Sequence, residues 1–189
     1  MNLKNYFIQS SKIIKNLGNF ETKIINLAKL IKKKDRLKKN IFIFGNGGSS
    51  SDAEHFAGEL VCTYAKRNRK PFSVIPLTTH NAAITAWGND FNYDDFFRRS
   101  VQAYVKKGDL VIILSTSGGT VKGPGKSSNL VKAAIEAKKN KADIVTLTGR
   151  NGGALKNISY ININIDSYKT SFIQEAHMTI LHSICEILE

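Results

Sequence analysis

The sequence has few cysteines, few acidic residues and no long apolar run, and two of these shortages exclude whole classes of protein. Two cysteines, Cys62 and Cys185, cannot build a disulfide framework. Both fall in helical patterns, where we expect small buried side chains. No apolar stretch approaches the ~18 residues of a membrane span, and the first residues lack the apolar core of an export signal. We therefore expect a cytoplasmic protein without a membrane partner.

The shortage of acidic residues leaves a net charge of +13, from 28 Lys and Arg against 15 Asp and Glu. Much of the excess lies in two basic runs, at 32–39 and 66–70. Such a balance is compatible with nucleic acid, an anionic small molecule or a solvated lysine-rich surface. The aromatic residues do not alternate with the basic runs as a stacking platform for nucleic acid requires. We therefore favour the solvated surface, keep an anionic substrate open and disfavour nucleic acid.

The 189 residues, 42% of them hydrophobic, suit one globular domain over 1–189. Apolar stripes predict two helices within 1–39, which we expect to pack on the domain and at a subunit interface. Strand-like runs follow at 41–44, 72–75, 110–114, 144–147 and 161–165, separated by helical patterns at 51–66, 94–105, 130–139 and 172–188. This alternation predicts an α/β fold, a three-layer αβα sandwich around a five-stranded parallel sheet.

A glycine-rich loop, GNGGSSS at 45–51, comes directly after the first strand and before a helix. Glycines let the backbone approach an anion closely, and the amides of a helix N-terminus supply donors. The loop nearly matches a dinucleotide fingerprint, but its sixth position is Ser50, and no acidic residue follows the second strand. We therefore predict a phosphate-type loop and disfavour a nicotinamide cofactor.

A second polar loop, STSGGT at 115–120, follows the third predicted strand. Its hydroxyls can bind phosphate or sugar oxygens, and ligands of parallel sheets bind beyond the carboxyl ends of the strands. A helix cap would explain one or two of these hydroxyls but not all of them with two glycines. The loop therefore indicates a ligand site.

Candidate acid, base and metal groups lie on two of the predicted helices. His55 and Glu59 are four residues apart, so they share a helix face and can converge on one metal ion or one substrate. An ordinary surface contact explains the pair equally well, but its place behind the glycine loop favours a site. On the last helix, spacing leaves His177 and His182 as nearly equal candidates.

These residues resemble a known family. The segments 45–49, 52–53 and 55–60 resemble the signature of the phosphoheptose isomerases, and 88–91, 115–118 and 173–175, followed by His177 and His182, extend the match in order along the chain. The resemblance implies a sugar isomerase (SIS) domain with a flavodoxin-like sheet. It also implies a homotetramer with active sites at subunit contacts.

The resemblance further implies an aldose–ketose isomerase. Such enzymes convert D-sedoheptulose 7-phosphate to D-glycero-D-manno-heptose 7-phosphate through an enediol, for the heptose of bacterial lipopolysaccharide or capsule. The family makes Glu59 the base and His182 the acid, with one Zn²⁺ per subunit on His55, Glu59, Gln174 and His182. The implied substrate contacts are Asn46, Gly47, Gly48, Ser49, Glu59, Asn89, Asp90, Ser115, Thr116, Ser117, Ser127 and Gln174.

The sequence departs from the family pattern near the expected pocket. Thr63 stands where the family has an arginine, which Lys66 or Arg67 could replace, and 171–172 reads Ser-Phe instead of Asp-Arg. An apparent insertion at 120–125 leaves Ser127 and Ser128 as alternatives. Two other functions therefore stay open: isomerisation of a different sugar phosphate, or a non-catalytic SIS protein of the replication-initiation-regulator type. The latter has no need for His55, Glu59 and His182 together.

Overall fold

The structure is a computed structural model that describes residues 2–121 and 126–189. The helices are α1 (Leu3–Lys15), α2 (Glu21–Arg36), α3 (Gly48–Val61), α4 (Asn81–Asp90), α5 (Phe96–Tyr104), α6 (Ser128–Lys139), α7 (Gly153–Ile158) and α8 (Thr170–Leu188). The strands are β1 (Ile41–Gly45), β2 (Val74–Pro76), β3 (Leu110–Ser115), β4 (Asp143–Gly149) and β5 (Ile161–Ile165). Short 3₁₀ turns lie at Asn16–Phe20 and Tyr93–Asp95. In the part of the chain described, no helix is long and apolar enough to cross a membrane.

The strands form one parallel sheet in the order β2-β1-β3-β4-β5. The predicted α/β fold is confirmed. Every residue of β1 and β3 is buried, as continuous apolar runs require in a sheet covered on both faces. Successive side chains of β1 serve opposite layers: Ile41 and Ile43 pack with α2, α3 and α8, whereas Phe42 and Phe44 pack with α5 and α6.

Several predicted boundaries were wrong. The second strand begins at Val74 rather than residue 72, and α3 ends at Val61 rather than residue 66. The basic residues beyond Val61 offer no apolar face to pack. The hydrophobic pattern also did not predict α7 or α4. Helix α4 has no buried residue that could have indicated it. Of the two cysteines expected to be buried, Cys185 is buried, but Cys62 is exposed, because it caps the end of α3 instead of continuing its apolar stripe.

The two predicted N-terminal helices are present, and both pack on α8. The buried stripe of α2, centred on Leu27 and Ile31, joins the main core. Helix α1 has no buried residue. The Tyr6 hydroxyl donates a hydrogen bond to the Glu175 carboxylate, and the Tyr6 ring packs edge-on against Phe172 with centroids 4.9 Å apart. Polar and aromatic edge contacts therefore hold α1 against α8, together with the partly buried Ile13 and Ile14, which pack on the main core.

The sheet brings the two predicted ligand loops to one edge. Gly45 at the end of β1 pairs in register with Leu114 near the end of β3. A Cβ atom on Gly45 would lie 2.8 Å from the Leu114 carbonyl oxygen, so the close approach requires glycine there. The strand order reverses direction between β1 and β3, which is where parallel α/β sheets open a ligand crevice.

Candidate active site

The glycine loop after β1 turns directly into α3. Gly47 has φ of 57°, a conformation that favours glycine, and α3 begins at the next residue. Ser49 is buried in the first helical turn, and its amide donates to the Asn46 carbonyl at 3.1 Å. A Cβ atom on Gly48 would collide with the side-chain amide of Gln174. The loop and α8 thus place Gly48 and Gln174, both predicted substrate contacts, against each other.

Asn46 is held by two residues that sequence reasoning missed. Its side-chain amide exchanges two hydrogen bonds with that of Asn129 on α6, at 2.9 and 3.0 Å. The Tyr93 hydroxyl donates to Asn46 Oδ1 at 2.9 Å. Nothing local in the sequence marks these partners, because folding alone brings them together. They orient the Asn46 amide at the mouth of the crevice.

The second loop forms a cluster of hydroxyl groups with the start of α6. Ser127 Oγ lies 3.2 Å from Ser115 Oγ and 3.2 Å from Ser117 Oγ. Ser127 has φ of 63°, in the left-handed region, whereas its neighbour Ser128 is buried and its hydroxyl has no partner in the described residues. The structure therefore brings Ser127, not Ser128, to this cluster. Most of the apparent insertion, residues 122–125, lies outside the described residues.

Helices α3 and α8 bring the proposed acid–base groups together. His55 Nε2 lies 3.1 Å from Glu59 Oε1 on α3. The ring of His182, half-buried on α8, lies 5.1 Å from the ring of His55 and 6.0 Å from that of Tyr64. The three side chains His55, Glu59 and His182 therefore form one partly open cluster.

The other candidate on α8, His177, faces the core. It is fully buried, and its Nε2 lies 3.2 Å from the Thr148 carbonyl oxygen on β4. Burial lowers the pKa of His177 to about 4, although the bond to Thr148 opposes the shift. Its Nδ1 has no partner among the described residues. The structure thus distinguishes two histidines that the spacing left nearly equal: His182 is the one whose ring lies beside that of His55.

A second carboxyl group lies in the same helical turn as His55. Burial raises the pKa of Asp52 to about 6, and the nearby His55 charge opposes this shift. Asp52 Oδ2 is buried without a hydrogen-bond partner within the described ranges. A carboxyl with a pKa near neutrality beside an imidazole is typical of a functional cleft.

Some predicted residues do not reach this cluster within one subunit. Asn89 and Asp90 lie exposed at the end of α4 and hydrogen-bond to each other at 2.9 Å. Thr63, at the position of the expected arginine, donates to the Lys66 carbonyl in its own loop. Phe172 is buried against Tyr6. The departures at 63 and 172 therefore serve local packing rather than the crevice.

The cluster is suited to zinc in donor type, since two imidazoles, a carboxylate and an amide are available on α3 and α8. In residues 2–121 and 126–189, however, no three His, Cys, Asp or Glu side chains are already arranged around one point. Three of the four donors are neighbours: His55 Nε2 lies 3.1 Å from Glu59 Oε1, and the His182 ring lies 5.1 Å from that of His55. His55, Glu59 and His182 are thus gathered but not preset, whereas Gln174 lies against Gly48 of the glycine loop.

Comparison with known proteins identifies the family. Residues 5–149 match the SIS domain family. A probable phosphoheptose isomerase of Thermoplasma acidophilum is 40% identical over 189 residues, which covers 100% of this chain and 98% of that protein. The chain belongs to the phosphoheptose isomerase family.

Further comparisons agree with that membership. The phosphoheptose isomerase of Aquifex aeolicus is 34% identical over 188 residues, covering 99% of this chain and 94% of that protein. The structure of a phosphoheptose isomerase from Francisella tularensis superposes with a TM-score of 0.89 at 29% identity, over 98% of this chain and 95% of that one. The resemblance inferred from the motifs, and with it the fold, is confirmed.

Proposed function

We propose that this SIS-domain protein converts D-sedoheptulose 7-phosphate to D-glycero-D-manno-heptose 7-phosphate. The observation that carries the proposal is the meeting of Glu59 and His55 on α3 with His182 on α8, where α3 begins directly at the glycine loop after β1. An acid and a base held together on a helix that begins at a phosphate-type loop suit aldose–ketose exchange of a sugar phosphate. A merely partner-binding SIS protein has no use for this cluster.

In the proposed mechanism Glu59 removes a proton from C1 of the ketose and returns it to C2. The enediol between these steps needs one further proton transfer, between the oxygens on C1 and C2, which His182 performs. Imidazole suits this role because its ordinary pKa lies near neutrality. The reaction is an isomerisation, so every atom of the substrate is retained.

The phosphate group is assigned to the hydroxyl cluster of Ser115, Ser117 and Ser127. Hydrogen bonds to a charged group are stronger than those between neutral groups, and three converging hydroxyls can donate to separate phosphate oxygens. The other proposed substrate contacts at the crevice are Asn46, Gly47, Gly48, Ser49, Thr116 and Gln174. They would orient the sugar chain between the phosphate site and Glu59.

We also propose one Zn²⁺ per subunit, held by His55, Glu59, Gln174 and His182. When bound, zinc would polarise the carbonyl group and stabilise the negative charge that develops on the enediol. The donors are not preset, and Gln174 is a weak neutral ligand, so we expect an exchangeable ion. Glu59 would be shared between ligation and proton transfer.

The assembly proposed is a homotetramer with sites completed at subunit contacts. It is supported by the exposed apolar side chains of α1, which include Leu3 at 60% and Phe7 at 65% exposure. Asn89 and Asp90, outside the cluster in one subunit, would then serve a shared site.

The proposed location is the cytoplasm. Free thiols at Cys62 and Cys185 suit that reducing compartment, where the product would supply bacterial surface-glycan heptose.

The deciding experiment incubates the purified protein with sedoheptulose 7-phosphate and follows the anomeric protons of the aldose product by NMR. Hexulose 6-phosphate and pentulose 5-phosphate, tested in parallel, address the alternative that another sugar phosphate is the substrate. We expect conversion of the heptulose phosphate at least ~10-fold faster, since a mispositioned substrate loses much of the rate. Preference for a shorter ketose phosphate, or no conversion of any, would overturn the assignment.

A further inference from the structure

The basic loop after α3 contains one arginine whose side chain is not a solvated surface group. Lys66, Arg67 and Lys70 are exposed. The Arg69 side chain is only 8% exposed, and its ion-pair partner Glu189 is 5% exposed. Long cationic side chains are rarely buried unless they are paired, so this contact has a structural purpose.

Arg69 caps the end of the helix that carries the proposed base. Its Nη2 donates to the Glu59 carbonyl oxygen at 2.7 Å, and its Nη1 donates to the Leu60 carbonyl oxygen at 3.1 Å. These carbonyls belong to the last turn of α3, where carbonyl groups lack partners within the helix. A cation at a helix C-terminus is also favoured by the helix dipole. The guanidinium group therefore holds the backbone of Glu59 directly.

Glu189 connects this cap to the helix that carries His182. Its carboxylate lies 3.4 Å from Arg69 Nε and accepts hydrogen bonds from the backbone amides of Tyr64 and Lys66. Desolvation raises the pKa of Glu189, but bonds from these amides and the Arg69 guanidinium outweigh it, so the pKa lies below its ordinary value. Glu189 caps α8, two turns beyond His182.

The Arg69 plane is also fixed by an aromatic residue. The guanidinium carbon lies 5.1 Å from the centroid of the Phe72 ring, and the Phe72 amide donates to the same Leu60 carbonyl that Arg69 binds. The guanidinium donors form a rigid fork, and the Phe72 ring lies against them, so the group has little freedom. A lysine ammonium would not reproduce this geometry.

We propose that Arg69, through Glu189, is a positioning residue for the isomerase reaction. It joins the last turn of α3 to the end of α8 and so sets the separation of Glu59 from His182. The proposal rests on the roles assigned to these two residues under the proposed function. Because Arg69 contacts neither the glycine loop nor the hydroxyl cluster, its loss should affect the proton transfer more than substrate binding.

The test compares Arg69→Gln and Arg69→Lys with Lys70→Gln, a control that removes an exposed cation from the same loop. We expect Arg69→Gln to lower kcat by at least ~10-fold, because small misplacements of a catalytic group are costly, while KM changes less than ~3-fold. Arg69→Lys should recover part of kcat, and Lys70→Gln should retain all of it. Amide hydrogen exchange should accelerate over 57–62 in Arg69→Gln and stay unchanged in β3.

A second variant, Glu189→Gln, keeps the inference testable if Arg69→Gln does not fold. It retains the side-chain shape and weakens the link, so kcat should fall in the same direction. Wild-type kcat in folded Arg69→Gln or in folded Glu189→Gln, or an equal loss in Lys70→Gln, would overturn the role of Arg69. An inactive wild-type protein would instead refute the proposed function, while unchanged exchange over 57–62 would refute the cap by itself.

Discussion

The imidazole ring of His182 on α8 lies 5.1 Å from that of His55 on α3, although α3 follows the first strand of the chain and α8 follows the last. Both helices cover the same face of the sheet and share one core with β1 and β3. His55 in turn contacts Glu59 at 3.1 Å. This meeting of two helices creates the proposed acid–base site.

Replacing Glu59 by Gln should abolish most of the isomerase activity. The substitution keeps the shape of the side chain and removes its basicity, so kcat should fall by at least ~10²-fold, the usual scale of acid–base catalysis. Glu54→Gln is the matched control, because Glu54 lies exposed on the same helix. Near-normal turnover in a folded Glu59→Gln protein would show that another group is the base.

Removal of zinc should stop turnover without unfolding the chain. The proposed ligands sit on helices that are packed independently of the ion, so chelation should leave the circular dichroism spectrum intact and abolish activity until zinc is restored. His55→Ala should lose both zinc and activity, whereas His80→Ala, at an exposed position, should keep both. If exhaustive chelation leaves turnover unchanged, the metal proposal is wrong, although Glu59 and His182 could still move protons.

Ser127 and Ser128 can be distinguished by paired alanine variants. Ser127 belongs to the hydroxyl cluster, so Ser127→Ala should raise KM by ~10-fold or more, since a hydrogen bond to a charged group is worth about 1.5–3 kcal/mol. Ser128 is buried without a hydrogen-bond partner in the described residues, so Ser128→Ala should leave KM unchanged. The reverse pattern would move the phosphate contact to Ser128.

The exposed face of α1 should be a subunit contact. Phe7→Glu places a charge on that face and should shift the tetramer to smaller species in light scattering, because a buried unpaired charge is costly. Tyr160→Glu is the control, as Tyr160 is 79% exposed before β5. A wild-type protein that is a stable, fully active monomer would remove the tetramer from the proposal.

His177 should make the protein less stable in acid. Its folded pKa of about 4 lies below the ordinary 6.5, so protons bind preferentially to the unfolded chain. Its contribution is present above pH 6.5 and is lost as the pH falls towards 4, by about 3 kcal/mol at 1.36 kcal/mol per pKa unit.

Urea unfolding at pH 7 and pH 4.5 measures this effect. His177→Leu should show a smaller loss of unfolding free energy between the two pH values than the wild type. His80→Ala should retain the full loss, since His80 is exposed. Equal losses in the wild type and in His177→Leu would contradict the assignment.

Much of the fold follows from local pattern. Runs such as 41–44 and 110–114 are apolar without alternation because their strands are covered on both faces. This pattern identifies a buried strand whichever elements of the fold cover it. Weakly buried elements leave no such trace, so α4 was missed. The end of α3 was predicted too late. Arg69 caps the last turn through the Glu59 carbonyl and pairs with Glu189, and these contacts form only in the folded chain.

For the site, the sequence by itself determined the residue types and the loops: the glycines before α3, the hydroxyls after β3, and a His–Glu pair one helical turn apart. Only the tertiary structure decided which distant residues join them. His177 and His182 differ by about 140° around one helix, and spacing cannot tell which direction is the core. The docking of α8 buries His177 against β4 and turns His182 towards His55, because burial of a whole apolar face sets the helix rotation.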